Sequence, residues 1–226
     1  MRLGVLCSGG KDSIYSCGMA REQEEVACLI TVHSENEESY LFHTPNVWLV
    51  RLQAEAAGIP LVETGSAGKK EEEIADLGRA LDRAVECHRI EGVVTGAILS
   101  VYQASRIQRL CRDRSLWCFN PLWHTSQEDY MQALISKGYE VLVSGVYSAP
   151  FDAAWLGRRI DARALADLKE YARDYRITLT GEGGEYETFV ADAPFFRKRI
   201  EVVAAEETYQ NFRGLFRVTA ARLVEK

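Results

Sequence analysis

Residues 8–13 read Ser-Gly-Gly-Lys-Asp-Ser, a set of side chains suited to gripping phosphate. Gly9 and Gly10 permit positive φ and close backbone approach. The first turn of a helix after them supplies unsatisfied N–H groups and the positive end of a dipole. Lys11 neutralises phosphate charge, Ser8 and Ser13 add hydroxyls, and Asp12 can orient a metal or a donor. The chemistry implied is retention of the pyrophosphate end of a nucleotide. It is not the Walker loop: Gly4 and Gly9 have that glycine spacing, but Gly10 stands where the motif needs lysine. Nor is it GxGxxG. The competing reading is a tight strand-to-helix turn carrying a surface Lys-Asp pair.

A second candidate stretch, Gly-Glu-Gly-Gly-Glu-Tyr-Glu-Thr at 181–188, places Glu182, Glu185 and Glu187 among Gly181, Gly183 and Gly184. Clustered carboxylates repel one another, so a fold keeps them solvated or gives them a cation. Glycines beside them let backbone approach a ligand; the plainer alternative is an acidic surface turn. A third stretch, SVYQASR, offers Ser100, Tyr102, Gln103 and Arg106. It follows a strand candidate, and ligands of open α/β sheets sit beyond the carboxyl ends of strands. Arg106 is suited to steadying phosphate charge, or else it is a helix-surface arginine paired with an acid, and Tyr102 simply packs. Trp123 and Trp155 read as core or cleft wall, and a lone histidine such as His124 as a structural residue.

The elements needed to position these residues are visible in the hydrophobic pattern. Strands are expected at Leu3–Cys7, Val26–His33, Pro60–Glu63 and Gly92–Thr95, with helices at Ser13–Glu24, Asn46–Ala57 and Lys70–Ile90. In the last, Ile74, Leu77, Leu81 and Val85 recur at helical spacing opposite charges. Gly58 and Pro60 supply a stop after the second helix. This alternation predicts parallel βαβ units and a doubly wound sheet. Further on the pattern predicts a helix over Arg106–Arg112, a strand in LWCFNPLW, a helix over Ser126–Lys137 and a strand in YEVLVSGVYS. An ordered loop, a helix capped by Asp161 and running to Tyr175, and antiparallel strands from Phe195 complete the chain. The organisation expected is a nucleotide-binding domain over 1–135 and a smaller α+β part over 136–226.

The 226 residues carry a formal net charge of −6 with both signs interspersed, which argues against a nonspecific nucleic-acid binder. The six cysteines (Cys7, Cys17, Cys28, Cys87, Cys111 and Cys118) form no CxxC pair. They read as buried or free thiols of a reducing compartment. No apolar run approaches the roughly 20 residues of a membrane span, and the start MRLGVLCSGG is too soon interrupted for a secretion signal. A cytoplasmic protein with no membrane association is expected.

SGGKDS resembles the pyrophosphate loop of the N-type ATP pyrophosphatases, the PP-loop superfamily, whose sheet is of the HUP type. Within that superfamily the chain resembles the diphthine–ammonia ligase family, in its short archaeal form, along nearly its whole length. The resemblance is carried by SGGKDS (8–13), FHTPN (42–46), GAILSVYQASRIQRLC (96–111), PLW (121–123), WLGRRID (155–161) and GEGGEYETFV (181–190). One departure is Val101, where the family has an acid before the Tyr-Gln pair. The resemblance implies ATP held by residues 8–13 together with Gly96 and Ser100, and Mg²⁺ bridging phosphates with Asp12 as its protein ligand. It implies Lys11, Arg106, Glu182, Glu185 and Glu187 as catalytic residues, the glutamates attracting ammonium and taking up its proton. Tyr102, Gln103, Arg106, His43, Gly183, Gly184, Glu185 and Thr188 would form the substrate side, facing the nucleotide across a cleft. The implied reaction adenylates the carboxylate of diphthine on elongation factor 2 and lets ammonia displace AMP. Three other activities remain open: amidation of a small carboxylate, as in cobamide metabolism; sulfur insertion into tRNA, against which the lack of paired cysteines and the acidic charge count; and nucleotide sensing without turnover.

Overall fold

The computed structural model describes residues 1–34, 46–66 and 73–226. The chain forms two compact units, Met1–Trp123 and His124–Lys226. The division falls earlier than residue 135, so the helix that follows Ser126 belongs to the second unit.

The first unit is a five-stranded parallel sheet in the order β3-β2-β1-β4-β5. Its strands are β1 (Arg2–Leu6), β2 (Glu25–Ser34), β3 (Leu61–Ser66), β4 (Gly92–Val94) and β5 (Trp117–Phe119). The central strand β1 sets Val5 opposite Leu29 of β2 and Val94 of β4. Strand order therefore reverses beside β1, the place where such sheets bind ligands beyond their carboxyl ends. The helices are α1 (Lys11–Arg21), α2 (Val50–Ala57), α3 (Glu73–His88) and α4 (Val101–Arg112). Leu77, Ala80, Leu81 and Ala84 of α3 are buried with Ile30, Val32, Val62 and Val93 of the sheet. Ile74 and Val85 flank them, as the helical spacing predicted. Gly58 ends α2 in the left-handed conformation, with Ile59 N–H donating to Ala54 O at 3.0 Å.

The sequence reading and the structure differ in detail at several ends. A 3₁₀ turn, Val47–Leu49, leads into α2, so the helix proper starts later than Asn46. The helix expected from Arg106 begins at Val101 because the Ser100 hydroxyl accepts from Gln103 N–H at 3.3 Å and caps it. The expected helix start at Lys70 lies outside the described residues, which resume at Glu73.

The second unit holds α5 (Gln127–Ser136), α6 (Ala162–Tyr175) and a four-stranded antiparallel sheet in the order β7-β6-β9-β8. Strands β6 (Glu140–Val146), β8 (Lys198–Gln210) and β9 (Arg213–Glu225) lie where apolar and alternating runs placed them. Asp161 caps α6, its carboxylate accepting from Ala164 N–H at 2.8 Å. The strand not foreseen is β7 (Tyr186–Asp192), which grows directly out of the glutamate-rich turn and pairs with β6. The ordered loop before α6 runs beside β6, with Ile160 N–H donating to Val141 O at 2.8 Å and Val143 N–H to Arg158 O at 2.9 Å. Within that loop Phe151 meets Trp155, and Tyr171 of α6, edge to face, and Trp155 is a buried core residue.

Candidate functional site

The first candidate site begins where β1 ends. Cys7 N–H donates to Ile30 O at 2.8 Å, holding the loop to the sheet through its first residue. Gly9 then turns with φ +83°, and a Cβ there would stand 2.9 Å from Gln53 Oε1 and 3.2 Å from Val50 Cγ2. Only glycine takes that conformation in that space. Gln53, buried on α2, donates from Nε2 to Gly9 O at 2.9 Å and so fixes the loop from behind. Gly10 is the N-cap of α1 and brings no side chain to the helix end. The N–H groups of the first turn thus meet a small, uncluttered entry.

The side chains around that entry are tied to one another. Ser13 Oγ donates to Gly10 O at 3.0 Å and lies 3.4 Å from Ser8 Oγ, which accepts from Gly10 N–H at 3.4 Å. Lys11 Nζ sits 2.9 Å from Asp12 Oδ2, and its side chain is only 3% exposed. A surface Lys-Asp pair is therefore not what the sequence encodes. The chain buries an ammonium at the head of a helix, next to a carboxylate, where a polyanion would meet it. Burial pushes the Cys7 thiol up to about 11 despite its contacts with Gly9 and Ser13, so the floor of the loop stays neutral.

The segment after β4 closes the loop from the other side. A Cβ on Gly96 would lie 2.7 Å from the Asp12 carbonyl carbon and 2.8 Å from Ser13 N, both backbone. Gly96 thus lets the two loops touch main chain to main chain. Thr95 and Asn120 bond through their side chains at the ends of β4 and β5, and Ala97 N–H donates to Thr95 Oγ1 at 3.2 Å. Ser100 spends its hydroxyl on capping α4. One turn on, the Arg106 guanidinium lies over the Tyr102 ring, 3.4 Å from its centroid. That stacking gives Tyr102 the task of shelving the arginine. Gln103 offers its backbone N–H to Ser100. His43 lies outside the described residues. Among the described residues no three acid, histidine or cysteine side chains converge to hold a metal, so an ion beside Asp12 would draw most of its oxygens from phosphate and water.

The second candidate site lies within the second unit, and its three glutamates have different surroundings. Both oxygens of Glu185 are held by Thr178, from the backbone N–H at 2.6 Å and from the hydroxyl at 2.9 Å. The same hydroxyl accepts from Gly183 N–H at 3.2 Å, and Gly184 N–H donates to Gly181 O at 2.9 Å. Glu185 thereby clamps the turn on itself. Glu187, one residue inside β7, accepts from the Tyr147 hydroxyl at 3.0 Å. Glu182 is half-buried in the turn, and Thr188 is buried opposite Val143 of β6.

Sequence reasoning missed Gln53 and Tyr147. A glutamine on the buried side of α2, amid alanines, was a legible signal of a polar task in the core. Tyr147, at the end of an apolar strand, carried none.

Comparison with known proteins adds to this geometry. The model of the diphthamide synthase N-terminal domain matches residues 1–117, and that of the diphthamide synthase C-terminal domain matches residues 126–224. The chain is 33% identical over 245 residues to a diphthine–ammonia ligase of Bos taurus, covering 100% of this chain and 91% of that protein. A Homo sapiens protein of the same name is 31% identical, with 100% and 91% covered. For the Schizosaccharomyces pombe diphthine–ammonia ligase the identity is 29%, over 95% of this chain and 38% of the relative.

Proposed function

Because the chain belongs to the diphthamide synthase family, a family of ligases that form a carbon–nitrogen bond, we propose that it amidates diphthine on elongation factor 2 at the expense of ATP. The carboxylate oxygen of the substrate attacks the α-phosphorus, and pyrophosphate leaves. Ammonia then attacks the acyl carbon, AMP leaves, and the nitrogen gives up a proton, so the product is the amide of diphthamide. The observation that carries this reading is the Ser8–Ser13 loop, with its buried Lys11 and its contact to Gly96.

In this reading Ser8, Gly9, Gly10 and Ser13 hold the outer phosphates through backbone N–H groups and hydroxyls. Lys11 offsets their charge, and Arg106, steadied on Tyr102, faces charge developing on the inner phosphate. Asp12 would help hold Mg²⁺, which would supply positive charge to the phosphates. Glu187 and Glu182 serve the ammonium, whereas Glu185 holds their turn in shape. Ammonium and a folded protein are the partners, and the cytoplasm is the compartment. The described residues include no helix long and apolar enough to cross a membrane.

The test incubates the protein with ATP, ammonium chloride and diphthine-bearing elongation factor 2, and follows AMP and the mass of the acceptor. AMP release matched by exchange of one hydroxyl for an amine on the factor is expected. ATP binding without AMP release would make the protein a nucleotide sensor, and amidation of a small carboxylate in place of the factor would move it to another substrate.

A further inference from the structure

We propose that β8 is a self-association edge. Two copies of the chain join β8 to β8, antiparallel, about a twofold axis at Val202, and so fuse two four-stranded sheets into one of eight strands. The inference does not depend on the amidation reading.

β8 stands at the end of its sheet, so among the described residues its outer backbone edge pairs with no strand. It runs from Lys198 to Gln210 without a proline, and every residue from Val203 onward is exposed. Val203 is 58% exposed, beside Ala204 and Ala205, whose small side chains leave the main chain open. Such an edge is a template for another strand unless charge guards it. Here the charges are sorted by sign. Lys198 and Arg199 lie at one end, Glu206 and Glu207 at the other, with Val202 to Ala205 between the two groups. A parallel copy of β8 would set like charge on like, and an antiparallel copy sets unlike on unlike.

A bulge sets the register. In the β8–β9 ladder Val202 faces Ala221 and Ala204 faces Ala220, so Val203 is an extra residue that takes one place out of the alternation. Ile200 is buried, and Tyr209 turns the same way, donating its hydroxyl to the carbonyl of buried Phe151 at 3.0 Å. A regular strand would point residues 200 and 209 to opposite faces. By the same shift Lys198 shares a face with Glu207, and Arg199 shares the other with Glu206. With Val202 opposite Val202, an antiparallel copy sets Lys198 against Glu207 and Arg199 against Glu206, each pair on one face, and the axis repeats both. The hairpin itself answers only part of this charge. Lys198 reaches Glu225 at 3.3 Å and Glu206 faces Arg217, but Arg199 faces Val224 and Glu207 faces Phe216. Among the described residues neither Arg199 nor Glu207 makes an ion pair. A second copy of the chain brings each of them the opposite charge, which makes it the strand this edge selects.

The test measures the mass of the full chain in solution by size-exclusion chromatography with light scattering. Wild type should show twice the mass of one chain. Glu206→Lys with Glu207→Lys makes both ends of β8 basic and should halve that mass. Lys198→Glu with Arg199→Glu makes both ends acidic and should do the same, with circular dichroism separating loss of association from loss of folding. Mixed in equal amounts, the two single-mass variants should restore the double mass, and a chain carrying all four changes should regain it alone. A wild type of single mass at every concentration overturns the proposal. So does a dimer that survives both reversals, because it joins through another surface. Folded reversal variants that stay single when mixed overturn it as well.

Discussion

At the scale of single residues, the two candidate sites depend on charges that the fold has committed differently. Lys11 is buried beside the Asp12 carboxylate at the head of α1, and in the proposed function it also carries a charged hydrogen bond to phosphate. Lys11→Ala should weaken ATP binding by about 1.5–3 kcal/mol, read by titration calorimetry; unchanged affinity and unchanged AMP formation would remove the loop from the mechanism. Glu185 is committed to Thr178 through both oxygens. Glu185→Gln turns one acceptor into a donor facing that threonine. It should cost about 1–2 kcal/mol of stability in a urea titration and leave ATP affinity intact. Loss of amide formation with no loss of stability would return Glu185 to the chemistry.

Elements carry the next set of consequences. The Asp161 carboxyl is held below its usual range, first by the Ala164 N–H it accepts at the start of α6 and then by the Arg163 N–H and the nearby Arg158 charge. A carboxyl depressed in the folded state stabilises above its unfolded pKa, about 4, and that stability is lost as pH falls through the lower folded value. Asp161→Asn keeps the cap without the titration, so its stability should fall less between pH 5 and pH 3, on the order of the window given by these pKa values. Equal acid slopes for the two proteins would show that the cap does not titrate.

These elements also show what a sequence can disclose. The stripe of α3, the Gly58 stop and the Asp161 cap were legible because each depends on neighbours three or four residues away. The Ser8–Ser13 loop was legible for the same reason. What closes it was less so: Gly96 entered only through the family resemblance and Gln53 showed only a polar task in the core, because both reach the loop through the tertiary fold. Strand β7 was hidden because its first residues, Tyr186 to Thr188, alternate acids with buried groups and read as part of the turn. Tyr147 could be paired with Glu187 only once the β6–β7 register was known.

Across the whole molecule the cysteines agree with one another. All six are free, with Cys7, Cys17, Cys28 and Cys111 buried, Cys118 half-buried and Cys87 exposed. A hydrogen bond between Cys111 and Cys118 raises the first thiol and lowers the second. Iodoacetamide should therefore modify Cys87 first and Cys118 next in the native protein, with the buried four reacting only after denaturation, as followed by peptide mass mapping. Rapid modification of Cys7 in the native state would mean that the floor of the nucleotide loop opens to solvent.

The middle position of β1 in its sheet bears on how the protein is made. The strand is synthesised before either of its flanking partners, one of which is Gly92–Val94, and the glycine that seals the loop is Gly96. A nascent polypeptide carries the Ser8–Ser13 loop well before it carries the glycine that closes it. Under the proposed function, capture of ATP becomes a late event of synthesis, and ribosome-stalled chains ending before Gly96 should fail to retain it.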